Sequence, residues 1–157
     1  MIFSPPTQHA LRALIYLANH EGQRPVRARE IAAAETIPSA FLAKILNRLR
    51  VRGMLRSVMG PGGGYVLARP AQSISVRDVV AAFDDAQDLD ARCLLGIHLC
   101  SEKGVCPLHE RWNRFRDDFS RSIAALDLQS IAAPIATGAR QSPKSVRSRR
   151  RRKSHAA

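Results

Sequence analysis

Along the first fifty residues, apolar positions recur at helical spacing. Leu11, Leu14, Ile15 and Ala18 predict an amphipathic helix from Thr7 to Asn19, with Thr7 as its cap. Gly22 and Pro25 break that pattern. Val26 to Glu35 predicts a short second helix anchored by Ile31 among small alanines. Pro38 and Ser39 open a third, proline suiting a first turn and serine a cap; it runs to about Arg52 and stops at Gly53. Leu42, Ile45, Leu46 and Leu49 form its apolar stripe. The opposite face carries Ala40, Ala43, Lys44, Asn47 and Val51, flanked by Arg48 and Arg50. Small residues beside Lys and Asn let a helix approach another surface closely, although a merely solvated face has the same pattern.

Met54 to Val58 and Tyr65 to Leu67 are β-prone runs around the glycine-rich Met59–Gly64, which predicts a hairpin. Three helices and a hairpin form the winged helix-turn-helix plan, in which the second helix of the motif enters the major groove. The glycines lack the Lys-Ser/Thr of a P-loop and have a strand on each side, so a phosphate-binding enzyme loop is discounted. Ser75 to Phe83 predicts a capped short helix with Val76, Val79, Val80 and Phe83 on one side. Residues 84–107 show no sustained period. Leu108, Trp112, Phe115, Phe119, Ile123 and Leu126 then predict a long helix with one strong stripe, fading near Ala133. That stripe is expected to cover either the domain or a second copy. The remainder, with Pro134, Pro143 and Arg149 to Lys153, reads as a disordered basic tail.

Charge divides the chain further. The net charge of +12 is spread as +7 over residues 1–69, −3 over 70–133 and +8 over 134–157. Two basic segments around an acidic middle favour a polyanionic partner. Hydrophobic residues at 45% and charged residues at 24% match a globular protein. No apolar run approaches the roughly 18 residues of a membrane span, and no signal-like stretch opens the sequence. An odd count of 3 cysteines argues against a closed disulfide framework and for a reduced compartment, by default the cytoplasm.

Cys93, Cys100 and Cys106 are spaced C-x6-C-x5-C, with His109 after two further residues. That spacing is loose for structural zinc, whose ligand pairs usually stand two to four residues apart. Three thiolates on a loop suit a larger iron–sulfur core. Zinc and ordinary reduced thiols remain alternatives on spacing alone. Redox catalysis is disfavoured, because no C-x-x-C occurs and no catalytic base partners the cysteines.

Taken together, Ala10-Leu11-Arg12-Ala13-Leu14, Glu30-Ile31-Ala32, Phe41-Leu42 with Ile45-Leu46 and Leu49-Arg50, and Gly60 to Ala68 point in one direction. With the cysteine trio before a Trp-bearing helix, they resemble the Rrf-type family of bacterial winged-helix regulators, over about Thr7 to Leu128. The resemblance implies a mainly α fold with a small β-hairpin, and a homodimer joined through Leu108, Trp112, Phe115, Phe119, Ile123 and Leu126. It also implies an iron–sulfur cluster, 2Fe–2S in preference to 4Fe–4S, held by Cys93, Cys100 and Cys106. IscR-like members place a histidine where His109 stands; NsrR-like members use a first-helix aspartate of the partner subunit, where this chain has Gln8 beside His9. Ala43 replaces a glutamate, Met59 replaces a wing arginine, Arg27 replaces a small capping residue, and the first cysteine gap is one residue longer. These departures bear on the target sequence, not on the fold.

The expected organisation is a DNA-binding domain at 1–83, a cluster loop at 84–107, a dimerisation helix at 108–133 and a tail at 134–157. The expected function is an iron–sulfur-dependent repressor, not an enzyme, acting on a double-stranded DNA operator and sensing iron–sulfur status, redox state or nitric oxide. Ala40, Phe41 and Lys44 would face bases, Arg48, Arg50 and Arg56 phosphates, Gly62, Gly63, Gly64 and Tyr65 would shape the wing, and Ser39 would belong to the same DNA-binding surface. The alternative is a cluster-free or zinc-stabilised regulator responding to thiol oxidation or a small molecule.

Overall fold

The computed structural model describes residues 3–84 and 107–137. Cys93, Cys100 and Cys106, and the basic segment from 138 onward, lie outside the described residues. Helix α1 (Pro5–Ala18) starts earlier than its periodicity predicts, because Ser4 rather than Thr7 is its cap. The Ser4 hydroxyl accepts from the Thr7 amide at 3.4 Å, and the two prolines fill first-turn positions where a missing N–H costs little. Thr7 is instead fully buried and donates to Asp84 Oδ2 at 2.9 Å.

Helix α2 (Ala28–Glu35) begins two residues later than expected, because Val26 pairs with Tyr65 through backbone bonds of 3.0 and 2.8 Å. Thr36, at φ +53°, ends α2 in a left-handed turn. The buried Glu35 carboxylate meets Arg12 at 3.2 Å, tying α2 to α1. In helix α3 (Ser39–Val51) Pro38 is the cap and Ser39 the first helical residue, with no side-chain cap hydrogen bond. Gly53, at φ +71°, closes the helix as its sequence predicts. Leu42, Ile45, Leu46 and Leu49 are buried against Ala10, Ala13 and Leu14 of α1 and Ile31 of α2.

Strands β1 (Leu55–Val58) and β2 (Gly64–Leu67) form the antiparallel wing, in register Leu55 to Leu67 and Val58 to Gly64. A Cβ on Gly63 would stand 2.2 Å from the Val58 carbonyl oxygen, so only glycine closes this turn. A short 3₁₀ turn (Ala71–Ser73) leads to helix α4 (Val76–Phe83), opened by a reciprocal Ser75–Asp78 capping box.

The predicted long helix is two helices, α5 (His109–Ala125) and α6 (Leu128–Thr137). Backbone pairing interrupts it: Val76 donates to Leu126 O and Leu128 donates to Ile74 O, each at 2.9 Å. Asp127 Oδ1 then accepts from the Ser130 amide at 2.8 Å and restarts the helix. The chain also stays helical past Pro134 as far as Thr137, against the expectation of a disordered tail from residue 134. Leu128, with no exposed surface, enters the main core beside α1.

Candidate nucleic-acid interface

Burying the leucine stripe of α3 turns Ser39, Ala40, Ala43, Lys44, Asn47, Arg48 and Arg50 outward. Lys44 has no hydrogen-bond or ion-pair partner among the described residues, so its ammonium is available at the centre of that face. Arg50 donates to Asn47 Oδ1 at 3.0 Å. Two expected contacts are engaged elsewhere. Phe41 is half-buried, its ring edge-on to His9 at 5.5 Å, and the Arg48 guanidinium sits 5.1 Å above the Phe83 ring. The structure therefore leaves Lys44, with Ser39 and Ala40 ahead of it, as the group best placed to meet base edges.

His9 links α1 to this helix. Burial, reinforced by the nearby Arg12 cation, lowers its pKa, and its Nδ1 is buried without a hydrogen-bond partner among the described residues. In the wing, Arg56 is exposed and lines a groove of about 270 Å³ with Arg24, Val26 and Tyr65. Tyr65 is held by its pairing with Val26, and a Cβ on Gly64 would lie 2.4 Å from the Val26 carbonyl oxygen. Gly63 and Gly64 are thus needed for closure of the wing. Gly62 has open space around it, so a close approach by another surface is what its lack of a side chain permits. Arg27, which motif matching recorded only as a missing cap, donates to the Pro61 carbonyl at 2.9 Å.

The expected dimer stripe divides in two. Ile123 is buried with Val76 and Val80, and Phe119 packs on the same cluster and on Phe3, 5.7 Å between ring centres. Leu108, Phe115 and Leu126 are 41%, 49% and 43% exposed, and Trp112 stacks on Phe115 at 5.5 Å. The outer half of the stripe is therefore left for another surface, whereas Ile123 already serves its own protomer.

His109 is the first residue of α5, and its Nε2 lies 3.0 Å from Asn113 Nδ2. Arg116 donates to Asn113 Oδ1. Because a guanidinium only donates, it turns the amide N–H toward His109 and makes Nε2 the acceptor. An unprotonated ring nitrogen is what metal ligation requires, with Asn113 moving aside. Arg116 also has its Nε and Nη1 buried without partners among the described residues. Such orphaned cationic donors suit an anionic group nearby, and three thiolates around iron and sulfide make a net anion. His109 thus suits a metal ligand, while Cys93, Cys100 and Cys106 lie outside the described residues. Asn113 and Arg116, which stand at i+4 and i+7 from His109, carry no signal in the motif that singles out His109.

A family model described as "Rrf2: Iron-dependent Transcriptional regulator" matches residues 3–134. An HTH-type transcriptional regulator IscR of Photorhabdus laumondii is 31% identical over 124 residues, 79% of this chain and 74% of its own. One of Pectobacterium atrosepticum is 33% identical over 124 residues, 77% of this chain and 74% of its own. Among solved structures, CymR of B. subtilis, described as the global cysteine regulator, has a TM-score of 0.74 at 23% identity, covering 84% of this chain and 96% of its own. Oxidised CymR of Staphylococcus aureus has a TM-score of 0.67 at 27% identity, covering 84% of this chain and 96% of its own. With its winged helix-turn-helix and this match over most of its length, the chain belongs to the Rrf2 family, as a helix-turn-helix transcriptional regulator and not an enzyme.

Proposed function

We propose that the protein is a homodimeric, iron–sulfur-dependent repressor in the cytoplasm that binds double-stranded operator DNA. Lys44 reads a base from the exposed face of α3, while Arg50 and Arg56 hold backbone phosphates. Cys93, Cys100, Cys106 and His109 hold a 2Fe–2S cluster, which supplies a centre that can be gained, lost or oxidised in response to iron–sulfur status, redox state or nitric oxide. The observation carrying this reading is the place of His109. It opens α5, three residues after Cys106 and on the helix that bears the exposed aromatic stripe. A ligand there links the cysteine segment to the helix through which two copies would meet.

The likeness to oxidised CymR favours a second reading, thiol oxidation of the same cysteines without a cluster. Anaerobic purification with an absorption spectrum and iron and sulfide assays separates the two. The cluster reading expects visible charge-transfer absorption with stoichiometric iron and sulfide. Cys93→Ala, Cys100→Ala and Cys106→Ala should each abolish it, and His109→Ala should shorten its lifetime. A colourless, iron-free protein whose DNA affinity changes on reversible thiol oxidation would establish the second reading.

A further inference from the structure

From Ser57 to Gly64 the wing carries no charged side chain, and its most prominent group is Met59, 91% exposed. Arg56, toward the base of β1, is the hairpin's own cation, so the tip lacks one to set against a phosphodiester backbone. One cation nevertheless reaches the wing from outside. Arg27, which precedes α2, donates from Nη2 to the Pro61 carbonyl at 2.9 Å. It makes no side-chain cap on α2, and a positive charge at a helix N-terminus opposes the helix dipole. Its side chain therefore gives α2 only its attraction to Glu30 in the first turn.

The neighbouring backbone holds this arrangement in place. Val26 pairs with Tyr65 near the turn end of the wing, and Gly64 lies too close to the Val26 carbonyl for any side chain. The nearest acid, Glu30, is occupied by Arg24 at 2.8 Å. A guanidinium has five N–H donors, and the Pro61 bond uses one of them.

We propose that Arg27 is the phosphate contact of the wing's tip: clamped to the Pro61 carbonyl, its remaining donors take a backbone phosphate that the uncharged side chains from Ser57 to Gly64 cannot, apart from the phosphate assigned to Arg56. The proposal rests on the DNA-binding reading and is independent of the cluster. The test uses the full chain and a duplex recovered by the wild-type protein from a randomised pool. Arg27→Ala should weaken binding about tenfold and reduce the salt slope by about 0.9, the signature of one lost phosphate contact. Hydroxyl-radical protection should disappear at the outer flanks and persist at the centre, where α3 lies. Arg27→Lys should restore the slope.

Gly63→Ala, which disrupts the turn, supplies the control. Because the clamp presents the guanidinium only on a formed wing, Arg27→Ala should cost little further in that background. An equal cost in both backgrounds, an unchanged slope and flank footprint, or loss of the central footprint along with the flanks would each overturn the proposal. Failure of the wild-type protein to select any duplex would reject the DNA-binding reading instead.

Discussion

At the scale of single residues, Lys44 and His9 show how neighbours decide a role. Lys44 stands exposed between small residues on a helix whose other face is wholly buried. Lys44→Ala should leave the fold intact and cost about 1–3 kcal/mol of discrimination at one base position, checked by selection from a randomised operator library. Unchanged preference would remove it from the base-reading set. His9 carries a pKa lowered by burial and by Arg12. The unfolded chain therefore binds a proton there more readily than the folded one, so acidification through the ordinary histidine range near 6.5 favours unfolding. Melting temperature should fall between pH 7.5 and 5.5, and His9→Leu should flatten that dependence. An equal slope in the variant would place the titration elsewhere.

At the scale of elements, α5 does two jobs along one stripe. Its inner end is core: Ile123 is 7% exposed and packs on α4, so Ile123→Ala should destabilise the protein by about 2–5 kcal/mol in urea unfolding. Its outer end is surface. Phe115→Glu should leave the monomer folded while sedimentation shows loss of the dimer. If Phe115→Glu remains dimeric, the copies meet through another face. The 3,4-periodicity placed Trp112, Phe115, Phe119 and Ile123 on one line of α5, whereas Leu108 and Leu126 flank the helix. It could not show that the line is shared, because Ser75–Asp127 pairing breaks the helix and docks its continuation on α1. The first-turn prolines and Ser4 were equally visible, yet Thr7 matched a cap pattern while its burial depends on Asp84, far along the chain.

At the scale of the whole molecule, charge is distributed for a polyanion. Residues 140–157 hold 8 Lys/Arg and no acid. Their removal should weaken binding to operator and random duplexes alike and flatten the salt dependence, read from titrations at several ionic strengths. A loss confined to operator would show instead that the segment contributes to specificity.

Local sequence determined the helices of the DNA-reading motif, the Gly53 stop, the glycine-closed wing and the Ser75 cap, because periodicity, caps and turns act between near neighbours. It also determined which face of α3 is polar, and that three cysteines precede His109 along the chain. Tertiary structure decided the rest. It turned Phe41 onto His9 and Arg48 onto Phe83, split the long helix, occupied His109 with Asn113, and brought Arg27 to the wing. Each of those outcomes depends on a partner supplied by the folded chain's side-chain geometry or backbone pairing, and no periodicity in the chain encodes that geometry.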